Sequence, residues 1–204
     1  YNKLMESAFL IEVITIDRNN RKNTYRLNPA QILVLGFASI ILIGAILLNL
    51  PIAAQKGESI GFINALFTAT SAVCVTGLVV VDTGTYWTVF GKTVILLLIQ
   101  IGGLGFMTMA TLIALILGKR ISLRERLIMQ EALNQFTISG VVRLTQYILI
   151  TTFIIEGMGA FFLSLRFIPI YGVKKGILYG IFHSISAFCN AGFDLVGNFN
   201  SLTP

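Results

Sequence analysis

The residues Gly61 to Gly77, GFINALFTATSAVCVTG, return later in the chain as Gly176 to Gly192, GILYGIFHSISAFCNAG. Laid in register, the two stretches share Gly61/Gly176, Phe67/Phe182, Ser71/Ser186, Ala72/Ala187, Cys74/Cys189 and Gly77/Gly192. An internal repeat constrains a fold more than any other sequence signal, because each copy must bury the same pattern in the same way. Each copy reads as a short helix followed by a glycine-bearing turn, set beside long apolar runs. The first helix, 59–73, is too short to cross a bilayer, which takes about 20 residues, and it carries Asn64, Thr68, Thr70 and Ser71. It reads as re-entrant, dipping into the membrane and turning back. Irregular backbone survives there only inside protein or beside a water-filled cavity.

The rest of the chain supports a membrane setting. Of its 204 residues, 55% are hydrophobic and 12% charged, against about 25% charged in soluble domains; the mean hydropathy is +0.84. The net charge of +6 does not point to nucleic acid, because the basic residues lie between apolar runs and not along one helix face. They read as topological markers that hold loops on the cytoplasmic side. The two cysteines have neither CxxC spacing nor a His/Cys cluster beside them, so no transition-metal or redox site is expected. The chain starts at Tyr1 and ends Ser201-Leu202-Thr203-Pro204 just after the second turn, and is read as an N-terminal fragment of a longer polypeptide.

Four regions follow. Residues 1–30 form a polar, basic leader with Arg18, Arg21, Lys22 and Arg26, and Asn28-Pro29 signals a helix start. Residues 31–118 form a first unit: spans at about 32–50 and 93–118 flank the re-entrant helix at about 59–73. Residues 119–140 form a charged cytoplasmic linker, read as a loop. Residues 141–204 form a partial second unit, with a span at about 141–165 and a re-entrant helix at about 176–188, lacking its inner helix. Ten of the 15 basic residues fall in the leader and the 119–143 region, which places the N-terminus in the cytoplasm and opens both turns outward. Tyr86 and Trp87 are expected to mark the outer interface. The glycines of Ile101-Gly102-Gly103-Leu104-Gly105 each weaken a helix by about 1 kcal/mol. They read either as close helix packing or as a bend or close approach beside a pore.

The turns suit a cation. Carbonyls in an extended strand point alternately to opposite sides; aligning them on one side requires alternation between right- and left-handed backbone. The left-handed state costs a non-glycine residue about 1–2 kcal/mol, whereas glycine adopts it freely. The carbonyls of Val75, Thr76 and Gly77, and of Asn190, Ala191 and Gly192, are therefore the candidate filter, able to replace the hydration shell of a potassium ion. The C-terminal ends of the preceding helices, each with about half a negative charge, add attraction for a cation. Cys74 and Cys189 lie just below the two triplets. Asp82 and Asp194 follow them and read either as solvated loop charge or as a weak vestibule that concentrates cations.

The stretches TATSAVCVTGLVVVDTGTY, IQIGGLGFMT, LGKRISLRERLIMQEALNQ and FHSISAFCNAGFDL resemble the Trk/Ktr/HKT superfamily of potassium transporters, most nearly the bacterial Ktr-type membrane subunit. The resemblance runs from about Asn28 to about Leu195. It implies an all-α integral membrane fold of outer helix, re-entrant pore helix and inner helix units, four to a full pore, each giving one filter glycine: here Gly77 and Gly192. It implies potassium uptake across the plasma membrane, with potassium as substrate and sodium as a conceivable activator. It also implies a homodimer of the full-length parent on a cytoplasmic ring of nucleotide-binding regulatory subunits, with no enzymatic activity. Glycine at 77 is the potassium-preferring choice, since relatives with serine there tend to admit sodium. Cysteine at 74 and 189 departs from the Thr and Asn common in relatives.

Other polar residues carry their own alternatives. Glu156, in mid-span, must face protein or water, as a support for the pore region or as a partner for polar groups of the re-entrant helix. His183 beside Ser184 admits an intramembrane hydrolase in principle, but no third orienting group or oxyanion motif accompanies them. The remaining alternatives are a sodium-coupled or weakly selective cation transporter, and a non-conducting truncated interaction subunit.

Overall fold

The computed structural model describes residues 29–105, 108, 123–133 and 140–197; the leader, much of the linker and the last residues lie outside these. Among the described residues the chain is helical, with one isolated bridge between Ala54 and Trp87 and no strand. Helix α1 spans Pro29–Asn49, starting on a proline whose missing N–H has no helical partner to lose. A short 3-10 turn, Pro51–Ala53, ends it. Helix α2 is Phe62–Val73, α3 is Thr83–Tyr86, α4 is Val89–Leu104, α5 is Leu123–Ala132, α6 is Val141–Tyr171 and α7 is Val173–Phe188.

Two of these are long and apolar enough to cross a membrane: Ala30–Asn49, with mean hydropathy 2.6, and Val141–Tyr171, with 1.9. Most of their surface is uncovered. Val34, Leu42, Ile43 and Ile46 of α1, and Ile150, Phe153, Phe161 and Phe162 of α6, are exposed. Large apolar side chains facing outward along a whole helix suit lipid as the solvent and not water.

The core lies where α1, α2, α4 and α7 meet. Small residues dominate the contact: Ala45, Ala65, Ala69 and Ala72 are fully buried, closed over by Leu48, Ile95, Leu98, Ile99 and Phe182. Between membrane helices there is little hydrophobic drive, so close approach through small residues supplies the attraction. Helices α6 and α7 form a hairpin turned at Gly172, and Gly180 accepts Ser164 and the carbonyl of Ala160 against its Cα.

Several element boundaries differ from the sequence reading. Helix α4 begins at Val89, earlier than 93, because Thr88 caps it: its hydroxyl accepts from Gly91 N and donates to the carbonyls of Ile52 and Ala53. The expected span does not run unbroken to 118, since α4 stops at Leu104, where Gly105 takes φ 78°; most of the remainder lies outside the described residues. The 119–140 linker, read as a loop, contains α5, whose Leu, Arg, Glu, Met and Gln are good helix formers and whose Ile128 and Met129 bury against Val141. Helix α6 continues beyond 165 through Arg166 to Tyr171; a charge marks where a membrane ends more reliably than where a helix does. Lys174 and Lys175 stand in the first turn of α7 and not before it.

Trp87, expected at the outer interface, does not present its ring at the surface. It is 1% exposed, with its ring set against Gly91 at the start of α4. The bridge to Ala54, extended by bonds from Gln55 N to Tyr86 O and from Thr88 N to Ala53 O, draws the indole inward under the core.

Candidate functional site: two matched turns

Helices α2 and α7 end in the same way, atom for atom. Cys74 N donates to Thr70 O (2.8 Å), Val75 N to Ala72 O (3.3 Å) and Thr76 N to Ser71 O (3.0 Å). In the second copy Cys189 N donates to Ile185 O (2.9 Å), Asn190 N to Ala187 O (3.0 Å) and Ala191 N to Ser186 O (2.7 Å). This pair of crossing bonds is a Schellman cap, and it demands a left-handed residue just past the helix. Val75 and Asn190 fill that position, each with φ 57°.

The next residues in the left-handed region are Gly77, φ 74°, and Gly192, φ 71°; Thr76 and Ala191 between them are not. The main chain therefore alternates in sign over 75–77 and again over 190–192. The glycines were expected to do this; Val75 and Asn190 were not. Asn tolerates the left-handed region and could have been noticed. Val75 carries no such signal, since a β-branched residue there is an outlier.

The two turns also touch. A Cβ added to Gly77 would stand 2.7 Å from Ala191 O and 3.2 Å from Gly192 Cα, and one on Gly192 would stand 3.3 Å from Gly77 Cα. Only glycine lets the two backbones approach this closely. Gly77 of the first triplet thus touches Ala191 and Gly192 of the second, far away in the chain.

Helix α4 lies against the base of both turns. Gly102 meets the main chain of Val73, the last residue of α2, and a Cβ on Gly103 would be 2.5 Å from Cys189 Sγ. The glycine run gives close packing at 102 and 103 and a break in the helix at 105. Cys189 is half-buried beneath Gly103, while Cys74 is exposed; each is the right-handed cap residue of its helix.

The polar supports of the two turns differ. Ser71 Oγ pairs with Thr76 Oγ1 (2.9 Å), whereas Ser186, facing Ala191, donates to Phe193 O (2.6 Å). Asp82 caps α3, accepting from Thr85 N (2.7 Å) and Thr85 Oγ1 (2.8 Å). Asp194 accepts from Val196 N (3.0 Å). Both carboxylates therefore order the chain that follows the turns.

Glu156 is buried on α6 and receives Gln100 Nε2 of α4 at 3.0 Å on each carboxylate oxygen. Its main-chain carbonyl accepts Ser184 Oγ (2.7 Å). This knot ties α4, α6 and α7 together in the apolar interior. The hydroxyl of Ser184 and the imidazole of His183 serve different partners, the second being Tyr179 O (2.8 Å). Among the described residues no group of His, Cys, Asp or Glu is arranged to hold a metal ion.

Comparison with known proteins gives this arrangement a family. Residues 7–204 match the TrkH family, described as cation transport proteins, and the chain belongs to that family. It is 53% identical over 182 residues to the Ktr system potassium uptake protein B of Bacillus subtilis (strain 168), covering 89% of this chain and 40% of that relative. It is 50% identical over 173 residues to the potassium/sodium uptake protein NtpJ of Enterococcus hirae, covering 85% and 38%. The Ktr system potassium uptake protein B of Vibrio alginolyticus is 46% identical over 165 residues, covering 81% and 36%. The chain thus spans about 40% of the length of these relatives. The resemblance read from the motifs is borne out. The family is one of cation transport proteins and not of enzymes, and two of the described helices are long and apolar enough to cross a membrane, so the hydrolase reading falls.

Proposed function

We propose that this chain supplies two of the filter turns of a potassium-conducting pore, and that potassium passes along main-chain carbonyls of Val75, Thr76, Gly77, Asn190, Ala191 and Gly192. The observation that carries the reading is the matched pair of turns, alternating in backbone hand and meeting at Gly77 and Gly192. Alternation of this kind turns successive carbonyls to one side, and such oxygens replace the water around a dehydrated cation. The C-terminal ends of α2 and α7, with about half a negative charge each, favour a cation at the turns.

In this reading α1–α2–α4 is an outer helix, pore helix and inner helix, and α6–α7 begins a second such unit. Further units close the pore, from the same polypeptide. The protein works in the plasma membrane with its N-terminus in the cytoplasm and both turns facing outward. It acts as a homodimer on a cytoplasmic ring of nucleotide-binding regulatory subunits. Asp82 and Asp194 stand at the outer mouth as a weak cation vestibule. Potassium is the substrate, and no covalent cofactor takes part.

A second reading is transport of both potassium and sodium, favoured by the name of the Enterococcus hirae relative, a potassium/sodium uptake protein. Purified natural gene product in liposomes separates the two. Uptake of rubidium tracer, competed by potassium and not by sodium, supports the first. Equal competition by sodium supports the second, and no uptake of either ion overturns both.

A further inference from the structure

The two turns are alike at their helix ends and unlike beyond them. At the matched register, Thr68 of α2 corresponds to His183 of α7. Both side chains reach the carbonyl four residues back: Thr68 Oγ1 bonds Asn64 O (2.9 Å) and His183 Nδ1 bonds Tyr179 O (2.8 Å). Threonine ends there. Histidine has a second nitrogen, and Nε2 lies 3.2 Å from Leu195 N. A main-chain N–H can only donate, so Nε2 accepts and the proton resides on Nδ1, directed at Tyr179 O. The imidazole is thereby fixed as one neutral tautomer spanning α7 and the segment that leaves the second turn.

That segment is held from several sides. Ser186 Oγ donates to Phe193 O, and Leu195 O lies close enough to Gly84 of α3 that a Cβ there would come within 2.6 Å. Phe193 is 2% exposed and Leu195 0%. Among the described residues, the matching segment after the first turn has no counterpart to the bond from Leu195 N to His183. Leu78 and Val80, at the register positions of Phe193 and Leu195, are 59% and 39% exposed.

Resting on the reading of these turns as a filter, we propose that His183 is a positioning residue for ion selection: through the Leu195 N–H it holds the second turn at a fixed width. Discrimination between potassium and sodium requires oxygens that resist closing around the smaller ion, and a braced turn resists where a loose one follows. Phe167, Tyr179 and Phe182 pack around the imidazole and keep water from competing for the bond. His183 touches no ion in this scheme; it acts through the backbone it restrains.

The test compares two substitutions in the natural gene product. His183→Phe keeps a ring of similar volume and removes the acceptor; His183→Gln keeps an acceptor within reach of Leu195 N. The preference for potassium over sodium falls about tenfold in His183→Phe, the scale of one buried hydrogen bond, and returns in His183→Gln. Unchanged preference in both variants overturns the proposal. A wild type without preference also overturns it, and amide hydrogen exchange of the wild-type protein decides it where a variant fails to reach the membrane. The 193–197 backbone exchanges much more slowly than 78–82 if the brace exists, and equal rates overturn it.

Discussion

Gly77 and Gly192 meet main chain to main chain, each in the left-handed region, though they lie in separate copies of the repeat. The contact is not symmetric. A side chain on Gly77 collides with Ala191 O at 2.7 Å, while one on Gly192 meets only Gly77 Cα at 3.3 Å. Gly77→Ser is therefore the more damaging change. In flux assays of the natural gene product both serine variants lose potassium-over-sodium preference, Gly77→Ser by the larger factor. Unchanged preference in Gly77→Ser removes these turns from the selective path.

Val75 is held left-handed at a position where Asn190 does the same job in the second copy. A β-branched residue there stores about 1–3 kcal/mol of strain, which Asn relieves in part. Val75→Asn raises the stability of the protein in detergent by about 1 kcal/mol, read as a higher midpoint of thermal unfolding. Asn190→Val lowers it by a similar amount. A fall in stability for Val75→Asn contradicts the cap geometry.

Gly102 and Gly103 face different obstacles. Behind Gly102 stands the main chain of Val73, which cannot yield without unseating α2; behind Gly103 stands the Cys189 side chain. Gly102→Ala abolishes uptake. Gly103→Ala reduces it, and Cys189→Ala added to Gly103→Ala restores part of the loss by clearing the sulfur. A double variant no better than the single, measured as initial rate of rubidium uptake, rules out this contact as the cause.

Gln100 and Glu156 form a buried pair, and among the described residues Gln100 Oε1 has no hydrogen-bond partner. Glu156→Gln is tolerated, because a small rotation of the two amides lets Gln100 Nε2 donate to the new oxygen and Gln100 Oε1 accept from the new NH2 group. Glu156→Leu strands the Gln100 donor at a cost of about 1–3 kcal/mol, and the double change Gln100→Leu, Glu156→Leu recovers stability. Membrane level and melting midpoint report this. Loss of uptake in a well-inserted Glu156→Gln protein assigns the carboxylate a role in transport.

The parts of the fold visible in the sequence are those set by local chemistry. Pro29 and Pro51 bound α1, the repeat locates α2 and α7, and Gly77 and Gly192 announce left-handed backbone. What stayed hidden depends on contacts made across the chain. Nothing around Trp87 reveals that a bridge to Ala54 pulls it inward. The bond from Leu195 to His183 joins an irregular segment to a helix, and irregular segments carry no periodicity to read. Val75 is hidden for a third reason: the helix cap overrides the residue's own backbone preference.

The central claim is that carbonyls of the two turns stand in for water around a potassium ion. A structure of the natural gene product soaked in thallium or rubidium, with the ion located by anomalous scattering, tests it most directly. The account predicts density at coordination distance from main-chain oxygens of both 75–77 and 190–192. Density confined to other sites, in a preparation that transports potassium, contradicts it.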